Sequence, residues 1–145
     1  MSDDGRRQDA RALVRIGGVA LNVSDIARSE AFYVDVIGLK VALRVPSDHQ
    51  PMEVALCVSG SVQGGDAMLV LVLARIGVET QSGQNSFGRV ILNSPDAAAL
   101  AQQASVAGYL ATRVEAARPV YMITDPDGYM VEVFQASVEE APYPQ

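Results

Sequence analysis

The order of strand-like and helix-like segments occurs twice along this chain, and that doubling limits the fold more than any other feature. Residues 13–23 read as a strand, with Val19, Leu21 and Val23 alternating against smaller or polar residues. Ser24-Asp25 then offers an N-cap. Ile26, Ser29, Phe32, Tyr33, Val36 and Ile37 follow at helical spacing up to Gly38, which suits a left-handed helix end. Three strand-like runs come next, residues 39–45, 53–58 and 68–73, parted by the turn-rich stretches PSDHQP and SGSVQGGD. The second half keeps the order. Residues 89–93 form a strand, Ser94-Pro95-Asp96 opens an Ala-rich helix over 97–107, and Gly108 ends it. Residues 109–114, 119–124 and 130–134 supply three further strands.

A βαβββ unit present only twice predicts two halves paired about a pseudo-twofold axis, not a stacked array. Each half would be a curved mixed sheet with its helix on the convex side, giving an α+β fold in which two βαβββ modules enclose a cavity between their concave faces. The modules are expected at about residues 12–76 and 87–135, joined by the polar linker 77–86, within one domain over 12–135. Residues 1–11 and 136–145 are charged or Pro-containing and read as flexible tails. The run MLVLVL at 68–73 is apolar at every position, which predicts a strand covered on both faces, by the helix on one side and by a second subunit or a hydrophobic ligand on the other.

Composition narrows the class. A chain of 145 residues fits one domain and buries roughly two-thirds of its unfolded surface. The formal charge of −6 and pI near 4.6, with no Lys/Arg cluster beyond Arg6-Arg7, argue against nucleic-acid binding. Cys57 is the single cysteine, so an intrachain disulfide is ruled out, and its apolar run reads as a buried inert thiol. The polar start MSDDGRRQDAR does not read as a signal peptide. The longest apolar run, 67–74, falls far short of the ~20 residues a membrane-spanning helix needs. A soluble cytoplasmic protein without membrane contact is expected.

Three segments carry a family resemblance. IGGVALNVSDIARSEAFYVDVIGLKV (16–41) resembles the opening of glyoxalase-type modules, which read strand, V-x-D, a helix with S-x-x-F-Y, and a G-L/M turn. FGRVILNSPDAAALAQQASVAGY (87–109) resembles the opening of the second module, and DPDGYMVEVF (125–134) the closing hairpin D-P-D-G-x-x-x-E. The physics of that hairpin stands alone: Pro126 presets φ for a turn and Gly128 supplies a positive φ. Together these segments resemble the vicinal oxygen chelate superfamily (glyoxalase, bleomycin resistance protein, dioxygenase) over about residues 14–135.

The resemblance implies a divalent metal held by four positions, and the residues there are informative. They are Gly18, with no side chain to donate; Val70, inside MLVLVL; Arg89, a permanent cation without a lone pair; and Glu132, the one retained ligand. One carboxylate does not make a catalytic site that needs about three protein donors. No metal ligand set and no cofactor are therefore expected, a divalent ion held through Glu132 being the alternative. Arg89 is expected to take the metal's place and pair with Glu132.

Ligand-binding residues are expected to be Arg89, Glu132, Tyr121, Ile91, Met130 and Phe134, with Tyr121 as an aromatic wall in preference to Met122, and Phe87 and Gly88 at the rim. Glu132 is also the candidate catalytic base if burial raises its pKa, whereas a neighbouring Arg89 favours a structural ion pair. Arg89 could alternatively anchor a ligand carboxylate or phosphate. Tyr33 is expected to pack beneath the sheet. His49, the only histidine, reads first as a solvated loop residue. Its functional reading is a displaced ligand or general base, or a weak surface site with Asp48 and Glu53. The expected function is binding of a small, partly apolar metabolite or drug. The rival is a lyase, isomerase or dioxygenase-type enzyme using Glu132 as base or metal ligand. By resemblance, a homodimer is expected.

Overall fold

The computed structural model describes residues 16–74, 89–114 and 119–136. The expected tails (save Ala136), the linker and the rim residues Phe87 and Gly88 lie outside them.

Two βαβββ units form as the pattern predicts. In the first, β1 (Gly18–Val23) leads into α1 (Ile26–Ala31), and β2 (Lys40–Val45), β3 (Glu53–Cys57) and β4 (Met68–Leu73) follow. The second has β5 (Val90–Ser94), α2 (Ala97–Val106), β6 (Ala111–Val114), β7 (Val120–Thr124) and β8 (Met130–Gln135). The sheets are ordered β1-β4-β3-β2 and β5-β8-β7-β6. In each, the first strand runs parallel to the last and the other pairings are antiparallel.

Local chemistry sets the helix ends. Asp25 accepts from the Arg28 backbone N–H at 3.0 Å and Asp96 from that of Ala99 at 3.0 Å, so both helices begin on a carboxylate cap. The start of α2 is also tied to β8, because Gln135 Oε1 accepts from Ala97 N (3.0 Å) while its Nε2 donates to the Pro95 carbonyl (2.6 Å). α1 widens into a π-helical turn over Phe32–Val36, closed by Ile37 N–H donating to the Phe32 carbonyl. Gly38 and Gly108 then take φ of 94° and 92°, the left-handed values expected of helix-ending glycines.

The core lies on the helix-covered faces of both sheets and is continuous between them. Leu21, Val23, Val54, Leu56, Leu69 and Leu71 from the first unit pack in one cluster with Ile123, Val131, Val133, Ala97 and Ala104 from the second. Phe32 and Tyr33 sit buried within it, each ring worth about 2–3 kcal/mol of apolar burial. Phe32 makes edge contacts with Tyr33 and with Tyr109 of the second unit, at centroid separations of 4.9 and 4.6 Å.

This arrangement corrects the expected closure. The two sheets do not close on each other around a cavity; the halves meet on the helix side, and their other faces are left open among the described residues. The all-apolar β4 strand shows the same division. Leu69 and Leu71 are buried in the core, but Met68, Val70 and Val72, facing the other way, are only half-buried.

The halves are joined by a polar latch at the turn 125–129. Asp125, itself buried, accepts from Tyr33 Oη at 2.7 Å and from the backbone N–H groups of Asp127 and Tyr129 at 2.9 Å each. Asp127 accepts from Ser24 N (3.2 Å), Ser24 Oγ (2.5 Å) and Ser29 Oγ (3.3 Å), with Arg28 at 3.6 Å. Tyr129 Oη donates to the Asn22 carbonyl at 2.8 Å. The residues that make S-x-x-F-Y and D-P-D-G recognisable therefore hold one half to the other.

Candidate functional site

Strand register decides which side chains share the open face of the second sheet. Glu132 is paired with Ile91 on one side and Met122 on the other, and Met122 with Thr112, so one row crosses all four strands. Side chains alternate along each strand, which puts Met130 and Phe134 beside Glu132, and Arg89 and Asn93 beside Ile91, on the same face. Arg89, Ile91, Met130, Glu132 and Phe134 are thus brought together.

Tyr121 is not. It pairs with Val133 and packs against the core cluster, on the helix-covered face. The aromatic-wall expectation is corrected: Met122 occupies the place opposite Glu132. The signal was available in the hairpin, because a turn spanning 125–129 pairs Thr124 with Met130 and so forces Met122 onto Glu132.

Arg89 and Glu132 form an ion pair through Arg89 Nε and Glu132 Oε2. Glu132 is only 8% exposed, and apart from that contact its Oε2 accepts no hydrogen bond. The Arg89 side chain is 51% exposed, so its guanidinium reaches from the buried carboxylate to the open surface. A carboxylate at this depth is costly without a cation, and Arg supplies one that stays charged at any working pH. Ile91, 59% exposed beside them, gives the face an apolar shoulder.

The matching face of the first sheet is small and apolar. Ala20 pairs with Val70, Val70 with Ala55, and Ala55 with Leu43. Gly18 lies where a side chain has no room: a Cβ there would stand 2.2 Å from the Met68 carbonyl oxygen. At the four positions that the resemblance aligns with metal ligands, the residues do not fit a divalent ion. Gly18 and Val70 offer no donor, and Arg89 brings positive charge to the one carboxylate present. Among the described residues, no group of three or more His, Cys, Asp or Glu side chains is placed to hold a metal.

His49 lies elsewhere, in a groove of about 730 Å³ between α1 and the loop after β2, lined also by Ile26, Glu30, Val34, Asp48 and Pro51. Arg44 crosses this groove, donating to Glu30 from Nη2 at 2.5 Å and from Nε at 3.2 Å, and lies 3.5 Å from Asp48. Glu30 holds the guanidinium in its charged form by hydrogen bonding. Asp48 is thus drawn to Arg44, and Glu53 is not part of the lining, so the weak site imagined for His49, Asp48 and Glu53 is not assembled. Cys57 is buried, as expected, with its Sγ 3.7 Å from Ser59 Oγ. No helix among the described residues is long and apolar enough to cross a membrane.

Comparison with known proteins places the chain. It is 29% identical over 130 residues to the lactoylglutathione lyase of Salmonella typhimurium, spanning 85% of this chain and 93% of that protein. Among solved structures it resembles TnmS3, an antibiotic binding protein from Streptomyces sp. CB03234 (TM-score 0.66, 22% identity, 87% of this chain and 98% of that one). It also resembles the trypanothione-dependent glyoxalase I of Leishmania major (TM-score 0.69, 21% identity, 83% and 86%). A sequence profile matches residues 15–133, nearly the whole described chain, and on that match the protein belongs to the Glyoxalase/Bleomycin resistance protein/Dioxygenase superfamily.

Proposed function

We propose that this chain is a metal-independent binding member of its superfamily, taking a small, partly apolar metabolite or drug on the open face around Arg89 and Glu132. The observation that carries this reading is the Arg89–Glu132 ion pair at positions that would otherwise ligate a metal. The apolar surroundings fit the same reading, since Ile91, Met122, Met130 and Phe134 offer contact area next to a few placed polar groups, the usual make-up of a ligand site. The likeness in fold to an antibiotic binding protein agrees with it.

The protein acts as a cytoplasmic homodimer in this reading, a second copy covering the open faces and turning them into an enclosed site. The rival is an enzyme, a lyase, isomerase or dioxygenase, in which Glu132 serves as base or metal ligand. It is favoured by the retained Glu132 and by the likeness to a lactoylglutathione lyase.

A thermal-shift screen with hydrophobic acids, aromatic metabolites and glutathione adducts separates the two. A binder is stabilised by a ligand that it returns unchanged, by about 2.7 kcal/mol when the ligand is at 100 times its Kd. Loss of that shift in Glu132→Gln with the fold intact locates the site. Turnover of a glutathione adduct, abolished in the same variant, would establish the enzyme instead.

A further inference from the structure

The charge layout of the open face carries the binding reading one step further. We propose that the ligand is an organic carboxylate with a flat apolar body, its two oxygens gripped by Nη1 and Nη2 of Arg89. This rests on the proposed binding function and names the class of ligand.

Glu132 takes Arg89 through Nε. A guanidinium bound that way keeps its two Nη groups side by side, a fork whose spacing matches the two oxygens of a carboxylate. Among the described residues neither Nη group has a partner, and the side chain is half-exposed on a sheet face that no described helix covers. Glu132 meets the guanidinium on its Nε side, and among the described residues no second anion meets the Nη groups at the apolar surface. Ile91, Met122, Met130 and Phe134 then supply contact for the body of the ligand, and Asn93, exposed on the same face, a neutral polar edge.

The charge of the site selects a monoanion. Beside Glu132, each negative charge on the ligand adds repulsion against its carboxylate, and a carboxylate brings one where a phosphate monoester brings close to two. Glu132 is here a positioning residue: it orients the fork and does not touch the ligand.

The test uses the full chain and three probes with one aromatic body: 2-naphthoate, 2-naphthamide and 2-naphthyl phosphate, titrated by calorimetry at fixed ionic strength. Naphthoate is expected to bind at least about tenfold more tightly than naphthamide, the value of one charge-assisted hydrogen-bond pair. In Arg89→Gln that preference is expected to vanish, and in Arg89→Lys, which keeps the charge but loses the fork, to fall to an intermediate value. Equal affinity for acid and amide in the unmodified protein overturns the carboxylate assignment while leaving the binding function standing. Tighter binding of the phosphate overturns the monoanion argument, and no binding of any probe at millimolar concentration overturns the proposal. The comparison of acid and amide needs no variant, so a misfolded Arg89→Gln would not blunt it.

Discussion

Two polar clusters in this protein answer the same problem, a buried carboxylate, in opposite ways. At the latch, Asp125 is closed off by Tyr33 and two backbone N–H groups of its own turn, and Asp127 by Ser24, Ser29 and Arg28. On the open face, Glu132 has one partner among the described residues, and that partner is half-exposed. A fully satisfied network rigidifies a fold, whereas a cation with unfilled donors at a surface is available to something else. The most recognisable family motifs serve the first role. Arg89, which stands at a position the family resemblance aligns with a metal ligand, belongs to the second.

Substitutions should separate the two clusters in stability. Asp125→Ala has the largest expected effect, about 3–5 kcal/mol in denaturant unfolding, because Tyr33 Oη and two N–H groups are left buried without an acceptor. Tyr33→Phe removes one of those bonds and should cost about 1–3 kcal/mol. Gly18→Ala should cost a similar 1–3 kcal/mol, roughly the penalty of overpacking, since its Cβ meets the Met68 carbonyl. Glu132→Gln, by contrast, should change stability by less than about 1 kcal/mol, because the amide keeps the shape and removes the need for a counter-charge. If Glu132→Gln proved as damaging as Asp125→Ala, the open-face pair would be part of the scaffold and not a site.

Acid titration sharpens the contrast. Burial pushes the Asp125 carboxyl above the ordinary carboxylate range, against the opposing pull of its hydrogen bonds from Tyr33, Tyr129 and Asp127. A carboxyl with a raised folded pKa binds its proton more readily folded than unfolded. Its contribution is therefore full below the ordinary carboxylate pKa and is lost as pH rises through the raised value. The stability gap between wild type and Asp125→Asn should widen as pH falls from neutrality through that window, measured by urea unfolding at each pH. A gap that narrows would mean that the hydrogen bonds outweigh burial. The smallest effect is expected at the α1 groove. Arg44→Ala should cost no more than about 1 kcal/mol, since its partners Glu30 and Asp48 are partly or wholly exposed.

Much of the fold was legible from residues that act locally. Asp25 and Asp96 cap helices where they stand, Gly38 and Gly108 end them, and β4 occupies the residues that its apolar run marks. The Arg89–Glu132 contact was legible too, because the family resemblance puts both residues at metal-ligand positions that must face each other. What escaped depended on contacts distant in sequence. On the side where the halves meet, beside the shared core, a hydroxyl at Tyr33 donates to a carboxylate at Asp125, and neither residue announces that alone. Tyr33 packs in the core, as its helical spacing predicts, but its Oη is also the bolt of the latch. For Tyr121 the reason is simpler: the hairpin register, not aromatic character, assigns its face.

The most direct test of a site built on an ion pair is metal affinity. Equilibrium dialysis of the purified protein against micromolar zinc or nickel, followed by elemental analysis, should leave far less than one ion per chain, with no difference between wild type and Glu132→Gln. One tightly held ion per chain, lost in Glu132→Gln, would show that Arg89 yields its place to a metal and would contradict the assignment of this face to metal-independent ligand binding.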